Sequence, residues 1–104
     1  GIIRHSFTSL TLHERAALTA VGHITDDGRP FASLDDIDET LHQDGASIVR
    51  RDLFDALRSL VERDFLLERG GEGIGRQYGF SMELVRVWIE QNDEYPRLLE
   101  ELRG

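Results

Sequence analysis

The chain has 104 residues, 39% hydrophobic and 31% charged, a composition that predicts one soluble globular domain with a single core, not a disordered segment. It carries no cysteine, which removes disulfides, cysteine-ligated zinc, iron–sulfur clusters and cysteine nucleophiles together. The net charge of −8 opposes a strong nonspecific grip on nucleic acid. No apolar run approaches the roughly 18 residues that span a bilayer, and no signal peptide opens the sequence, so the expected location is the cytoplasm, without membrane contact. The first residue is Gly, so the chain reads as a piece of a longer protein.

Residues 1–10 (GIIRHSFTSL) show no helical period and read as an entering strand or arm. Thr11 and Glu14 then have capping-box spacing, and Leu12, Ala16, Ala17, Ala20, Val21 and Ile24 follow at helical intervals, predicting a first helix over 12–24. Asp26-Asp27-Gly28 is expected to end it, with Gly28 taking the positive φ of a turn, before a short strand at Pro30–Ala32. Ser33 has N-cap spacing to Asp36, and Leu34, Ile37 and Leu41 line one face of a second helix over 34–43.

Asp44-Gly45 is a turn, and Ser47 is the expected cap of a third helix over 48–63. The inner stripe of that helix is Val49, Leu53, Leu57, Leu60 and Val61, with Phe54 on its flank. Two β-capable runs, 65–69 and 76–81, flank Gly70-Gly-Glu-Gly-Ile-Gly75 and predict a hairpin with a flexible tip. Ser81 is the expected cap of a fourth helix near 82–92, whose apolar residues spread over roughly 220° of the helical wheel, wider than one core-facing stripe needs. Pro96 suits the start of a last helix carrying Leu98, Leu99 and Leu102.

Helix, short strand, helix, helix, hairpin is the order of a winged helix-turn-helix domain. The stretch "SLDDIDETLHQDGASIVRRDLFDALRSLVERDFLLERG" resembles the second helix, turn, third helix and first wing strand of that superfamily. Its end is similar to the many members that finish in Leu-x-x-Leu-x-x-Arg-Gly-hydrophobic, with Asp64 here where Gly is usual; Asp tolerates the left-handed region better than most residues. Downstream, "RQYGFSMELVRVWIEQN" resembles the last wing strand and following helix of winged-helix modules appended to bacterial STAND and AAA-type ATPases, through Tyr78, Phe80, Leu84, Val85, Arg86, Trp88 and Ile89. The resemblance implies an α+β, mostly helical fold: a three-helix core with a two-stranded wing over 10–81, and one or two C-terminal helices over 82–104, in a single domain. It further implies a non-catalytic regulatory module whose ATPase domain lies upstream in the parent chain. Its partners would be other domains of that parent, a protein partner, or a second copy in a homodimer.

The alternative the same resemblance carries is a DNA-binding domain of a transcription regulator. In winged helices the third helix enters the major groove and the wing touches the backbone or minor groove. The corresponding arginines are Arg50, Arg51, Arg58 and Arg63 on the helix, with Arg69 and Arg76 bracketing the wing. Arginine suits that task because its planar fork grips guanine edges or phosphates with two hydrogen bonds. Yet residues 45–80 set six Arg against six acids, while residues 1–44 set three against eight, net −5, and residues 81–104 three against six, net −3. The spacings Arg51–Asp55 and Arg58–Glu62 predict i, i+4 pairing that lowers the potential further.

The wide apolar arc of the fourth helix has two readings: plain core, covered by the last helix and the first, or a contact surface for another domain or a second copy, with Val87, Trp88 and Ile89 as anchors, since buried aromatics dominate such interfaces. No catalytic residue is expected, because no serine sits in a nucleophile motif. No metal or cofactor is expected either. His5, His13, His23 and His42 lack ligand spacing, and the acids of 26–38 do not form an EF-hand. The glycines of 70–75 lack the Gly-Lys-Ser/Thr ending and a following helix, so they make no phosphate loop.

Overall fold

Thr11 begins the first helix as its sequence requires. Its hydroxyl accepts from the Glu14 N–H at 3.2 Å, and a Glu14 carboxylate oxygen accepts from the Thr11 N–H at 3.0 Å. The computed structural model describes residues 9–71, 75–92 and 95–103, so the entering arm at 1–8 and the hairpin tip at 72–74 lie outside the described residues. Helix α1 (Leu12–Ile24) ends at Thr25, whose extended backbone leaves the helix while its N–H still donates to the Val21 carbonyl. The turn that follows is made by Asp26, not by Gly28. The Asp26 carboxylate accepts from the N–H groups of Gly28 and Arg29, both at 2.8 Å, which reverses the chain without a positive φ at Gly28.

Strand β1 (Ala32–Ser33) leads directly into α2 (Leu34–Gln43), which is capped by the Ser33 hydroxyl on the Asp36 N–H. Helix α3 (Arg50–Glu62) starts later than its periodicity suggests. Residues 46–49 are extended, so burial alternates: Ala46 and Ile48 turn inward, while Ser47 and Val49 turn outward. Val49 is therefore the N-cap at 63% exposure instead of an inner-stripe residue, and Ile48 takes its place in the core. Ser47 caps nothing; its N–H donates to the Leu102 carbonyl at 2.7 Å.

Asp64 follows α3 with φ 64, the one positive-φ residue other than glycine among the described residues. It turns the chain into β2 (Leu66–Gly71), which pairs antiparallel with β3 (Gly75–Phe80). β3 also pairs antiparallel with β1, giving a three-stranded sheet in the order β1-β3-β2. At Gly79 a β-carbon would collide with the Pro30 carbonyl and crowd the Phe31 ring, so the close approach of β3 to the segment before β1 requires glycine there.

Helix α4 (Glu83–Gln91) is capped by neither Ser81 nor Met82 side chains; Ser81 instead donates its hydroxyl to the Asp64 carbonyl and its N–H to the Phe65 carbonyl. Pro96 falls in the first turn of α5 (Tyr95–Glu101), where its missing N–H costs no helical hydrogen bond. The result is an α+β protein, mostly helical among the described residues. Its α1 helix packs against all four other described helices. Ala16, Ala17, Leu18, Ala20 and Val21 of α1 are fully buried, and the small alanines let the neighbours approach closely. Ile37, Leu41, Leu53, Leu57, Leu60, Leu66 and Tyr78 complete the centre of the core.

Candidate functional site

The first candidate surface is formed by α3 and the hairpin, which carry the six arginines without bringing them all to one face. Arg50 reaches back to α2, pairing with Asp35 and, at 3.3 Å, with Asp38. The hydrogen bond to Asp35, joined by the charges of both acids, outweighs the opposing desolvation and holds the Arg50 guanidinium above its ordinary pKa. Asp38 is shared, since the Nδ1 of His42 lies 3.1 Å from its other oxygen. Arg58 pairs with Glu62 at 3.5 Å, one turn on, as its spacing predicts. Arg51 departs from expectation: it is exposed and makes no ion pair with Asp55 or any other acid among the described residues.

The other three arginines are occupied by the fold itself. Arg63 turns to the start of α1, donating to Ser9 Oγ at 2.5 Å and lying 3.6 Å from the Glu14 carboxylate. Arg69 stacks 3.9 Å above the Phe31 ring and donates to Gln77 Oε1 at 2.7 Å. Arg76 donates to Glu68 at 2.8 Å and lies 5.2 Å from the Phe54 ring of α3. The hairpin thus rests on α3 through an arginine–aromatic contact, beside Tyr78. Burial, then the nearby Glu68 carboxylate, pushes the Tyr78 phenol up to about 12.

The second candidate surface is α4. Its wide apolar arc divides: Val85 and Ile89 are buried in the core, and Trp88 is half-buried against it. Met82, Leu84 and Val87 remain outside at 49%, 55% and 37% exposure. Of the three anchors expected from sequence, Ile89 therefore serves the core, while Leu84 and Met82 join Val87 and Trp88 at the surface. Periodicity alone could not separate them, because both halves of the arc are equally apolar.

Arg86 is the side chain whose role the sequence pattern did not disclose. It is only 12% exposed and folds under α4. There it donates to the Thr25 carbonyl at 2.8 Å and to Thr25 Oγ1 at 2.9 Å, with its guanidinium 4.9 Å from the Phe80 ring. This fork fixes the rotation of α4 on the end of α1 and so decides which apolar residues face outward. Gly22 on α1 brings the two helices close, since a β-carbon there would press on Ile89.

A shallow hollow lined by Thr11, His13, Glu14, Asp52, Asp55, Ala56 and Ser59 lies beside the capping box. Its innermost group, Glu14, already accepts from Ser59 Oγ at 2.7 Å and from Thr11. Among the described residues no group of three or more His, Asp or Glu side chains is placed to hold a metal ion, and no helix is long and apolar enough to cross a membrane. No protein-family model, curated protein or solved structure matches this chain.

Proposed function

We propose that this chain is a winged-helix module that acts by contacting protein, without chemistry of its own, within a larger cytoplasmic regulatory or signalling ATPase of bacterial type. The element order, the β1-β3-β2 sheet and the left-handed turn at Asp64 are compatible with a winged-helix layout. The observation that carries the functional reading is the state of the arginines. Five of the six on α3 and the hairpin already have acidic, polar or aromatic partners within the molecule. These contacts are mostly exposed and individually weak, but each acid beside an arginine lowers the local potential for phosphate, against a background of −8. The exposed apolar residues of α4 offer a surface that protein contact can use instead.

A second reading is favoured by one residue. Arg51 has no acidic partner among the described residues and stands at the start of α3, beside exposed Val49, where a recognition helix meets base edges. Fluorescence anisotropy of a labelled mixed-sequence duplex, titrated with the chain at low and then moderate salt, separates the two. The protein-contact reading expects no saturable binding at micromolar concentration. Binding that falls steeply with salt, and is lost in Arg51→Ala/Arg58→Ala, would put a DNA-binding domain of a transcription regulator in its place.

A further inference from the structure

Building on the protein-contact reading, we infer that the outward face of α4 docks a cationic amphipathic helix of a partner protein. On the helical wheel Leu84, Val87 and Trp88 fall within an arc of roughly 100°, the width one face of a docked helix covers. Glu83 and Glu90 border that arc on the Val87 side, and both are exposed. The one basic residue of the helix, Arg86, is withdrawn beneath it onto Thr25, with its Nε 3.7 Å from the Glu83 carboxylate, a weak contact that leaves the Glu83 side chain 71% exposed. Seen from outside, α4 presents Leu84, Val87 and part of Trp88, with polar Gln91 on the same arc at the helix end and an acidic margin beside it.

That pattern discriminates among occupants. A nucleic acid or an anionic lipid surface meets like charge at Glu83 and Glu90 and in the −3 total of residues 81–104. A second copy apposed through this face brings two acidic margins together on molecules that each carry −8. A helix with apolar residues at i, i+3, i+4 and lysines or arginines beside them satisfies both halves of the surface, burying Leu84 and Val87 while its cations meet the glutamates. Trp88, the only tryptophan of the chain, lies on the same arc and reports the event.

The test uses two synthetic peptides of about 18 residues, with leucines at i, i+3, i+4 and i+7 and either lysines or glutamates at the remaining positions. Each is titrated into the full chain while Trp88 emission is followed. The lysine peptide is expected to bind saturably with a blue shift, and the glutamate peptide not to bind. Leu84→Ala/Val87→Ala should weaken the lysine peptide about tenfold or more, the loss typical of two central contacts, with the fold checked by circular dichroism because Val87 is only 37% exposed. Glu83→Gln/Glu90→Gln should weaken it several-fold and flatten its salt dependence, whereas Leu67→Ser, at an exposed apolar position on the sheet, should change nothing.

Equal binding of the two peptides, or an unchanged Glu83→Gln/Glu90→Gln variant, overturns the cationic partner. Protein contact through α4 survives that result if binding still depends on Leu84 and Val87. An unchanged Leu84→Ala/Val87→Ala variant, or equal loss in Leu67→Ser, removes the face itself from the account. Sedimentation of the chain alone provides the remaining arm: a dimer abolished by Leu84→Ala assigns the face to a second copy and overturns the proposal. Failure of the broader reading shows separately, as binding in the duplex titration.

Discussion

Replacing Arg86 by alanine removes the fork that joins α4 to α1, and the geometry allows its cost to be worked out. Two charge-assisted hydrogen bonds, at 2.8 and 2.9 Å, end on Thr25, a residue only 4% exposed, so water reaches the abandoned carbonyl poorly. The Thr25 hydroxyl keeps its own bond to the Val21 carbonyl at 2.7 Å, so its oxygen loses only an incoming donor. Because both bonds converge on one residue they count as about 2 kcal/mol together, not twice the single-bond value. The guanidinium stacked on Phe80 adds about 1 kcal/mol. The contact to exposed Glu83 at 3.7 Å adds next to nothing. The total is about 3 kcal/mol, which at an m value of about 1.5 kcal/mol/M lowers the urea midpoint by about 2 M. Arg86→Lys keeps the charge but offers one ammonium in place of the fork, and should recover about half. The assay is urea unfolding followed by Trp88 fluorescence and by far-ultraviolet circular dichroism, with the m value held constant. A loss below about 1 kcal/mol in Arg86→Ala would refute the clasp and, with it, the account of what sets the outward face of α4.

Two further outcomes test the fold around that face. Burial pushes the Glu14 carboxyl up, but the bonds from Thr11 and Ser59 and the charge of Arg63 outweigh it and hold its pKa below the ordinary 4.5. A depressed carboxyl stabilises the fold fully above its unfolded value and loses that effect as pH falls through the folded one. The stability gap between the native chain and Glu14→Gln, measured by urea unfolding across pH, should therefore be widest near neutrality and narrow below pH 4.5; a gap independent of pH would exclude the charged form of Glu14 as its source. Asp64→Gly relieves a non-glycine residue at φ 64 and should raise stability by about 0.5–1 kcal/mol, whereas Asp64→Val, β-branched at the same φ, should lower it by more than about 1 kcal/mol; thermal unfolding that ranks the two in the opposite order contradicts the assigned backbone.

What the sequence disclosed was chemistry confined to a few neighbouring residues. Thr11 with Glu14, Ser33 with Asp36 and the left-handed tolerance of Asp64 are local arrangements, and each is found where its spacing puts it. Ser47 and Ser81 have equally good cap spacing, yet neither caps a helix. Distant contacts set the outcome: the segment before α3 is extended, with the Ser47 N–H on the Leu102 carbonyl, so the helix begins past Ser47 with Val49 as its N-cap, and the Ser81 hydroxyl is turned to the Asp64 carbonyl. The same rule covers the site residues. Arg58–Glu62 is one helical turn apart and was legible, although Arg51–Asp55 at the same spacing does not pair, while Arg50–Asp35, Arg63–Glu14 and Arg86–Thr25 span 15, 49 and 61 positions and were not legible. A charged side chain declares its charge in the sequence; only the packing declares whether that charge is spent inside the molecule.

The C-terminal helix sharpens this contrast between the two candidate surfaces. Tyr95 of α5 donates its hydroxyl to Asp44 at 2.7 Å, and its ring lies against His23 at the end of α1, with centroids 4.6 Å apart. Just beyond α5, Leu102 accepts from Ser47, and Arg103 bridges to Ala46. The connection between α2 and α3 is therefore held by the C-terminal segment on one side, and the first turn of α3 is held through Arg50 by Asp35 and Asp38 on the other. Of the two cations in that turn, Arg50 is engaged by contacts within the chain, while Arg51 is exposed and has no acidic partner among the described residues. Helix α4 has the opposite disposition: its cation points inward, Arg86 and Gly22 lie at its contact with α1, and Leu84 and Val87 remain exposed. The proposed docking at α4 follows from that difference: a surface held in place before binding leaves less ordering cost to be met when a partner arrives.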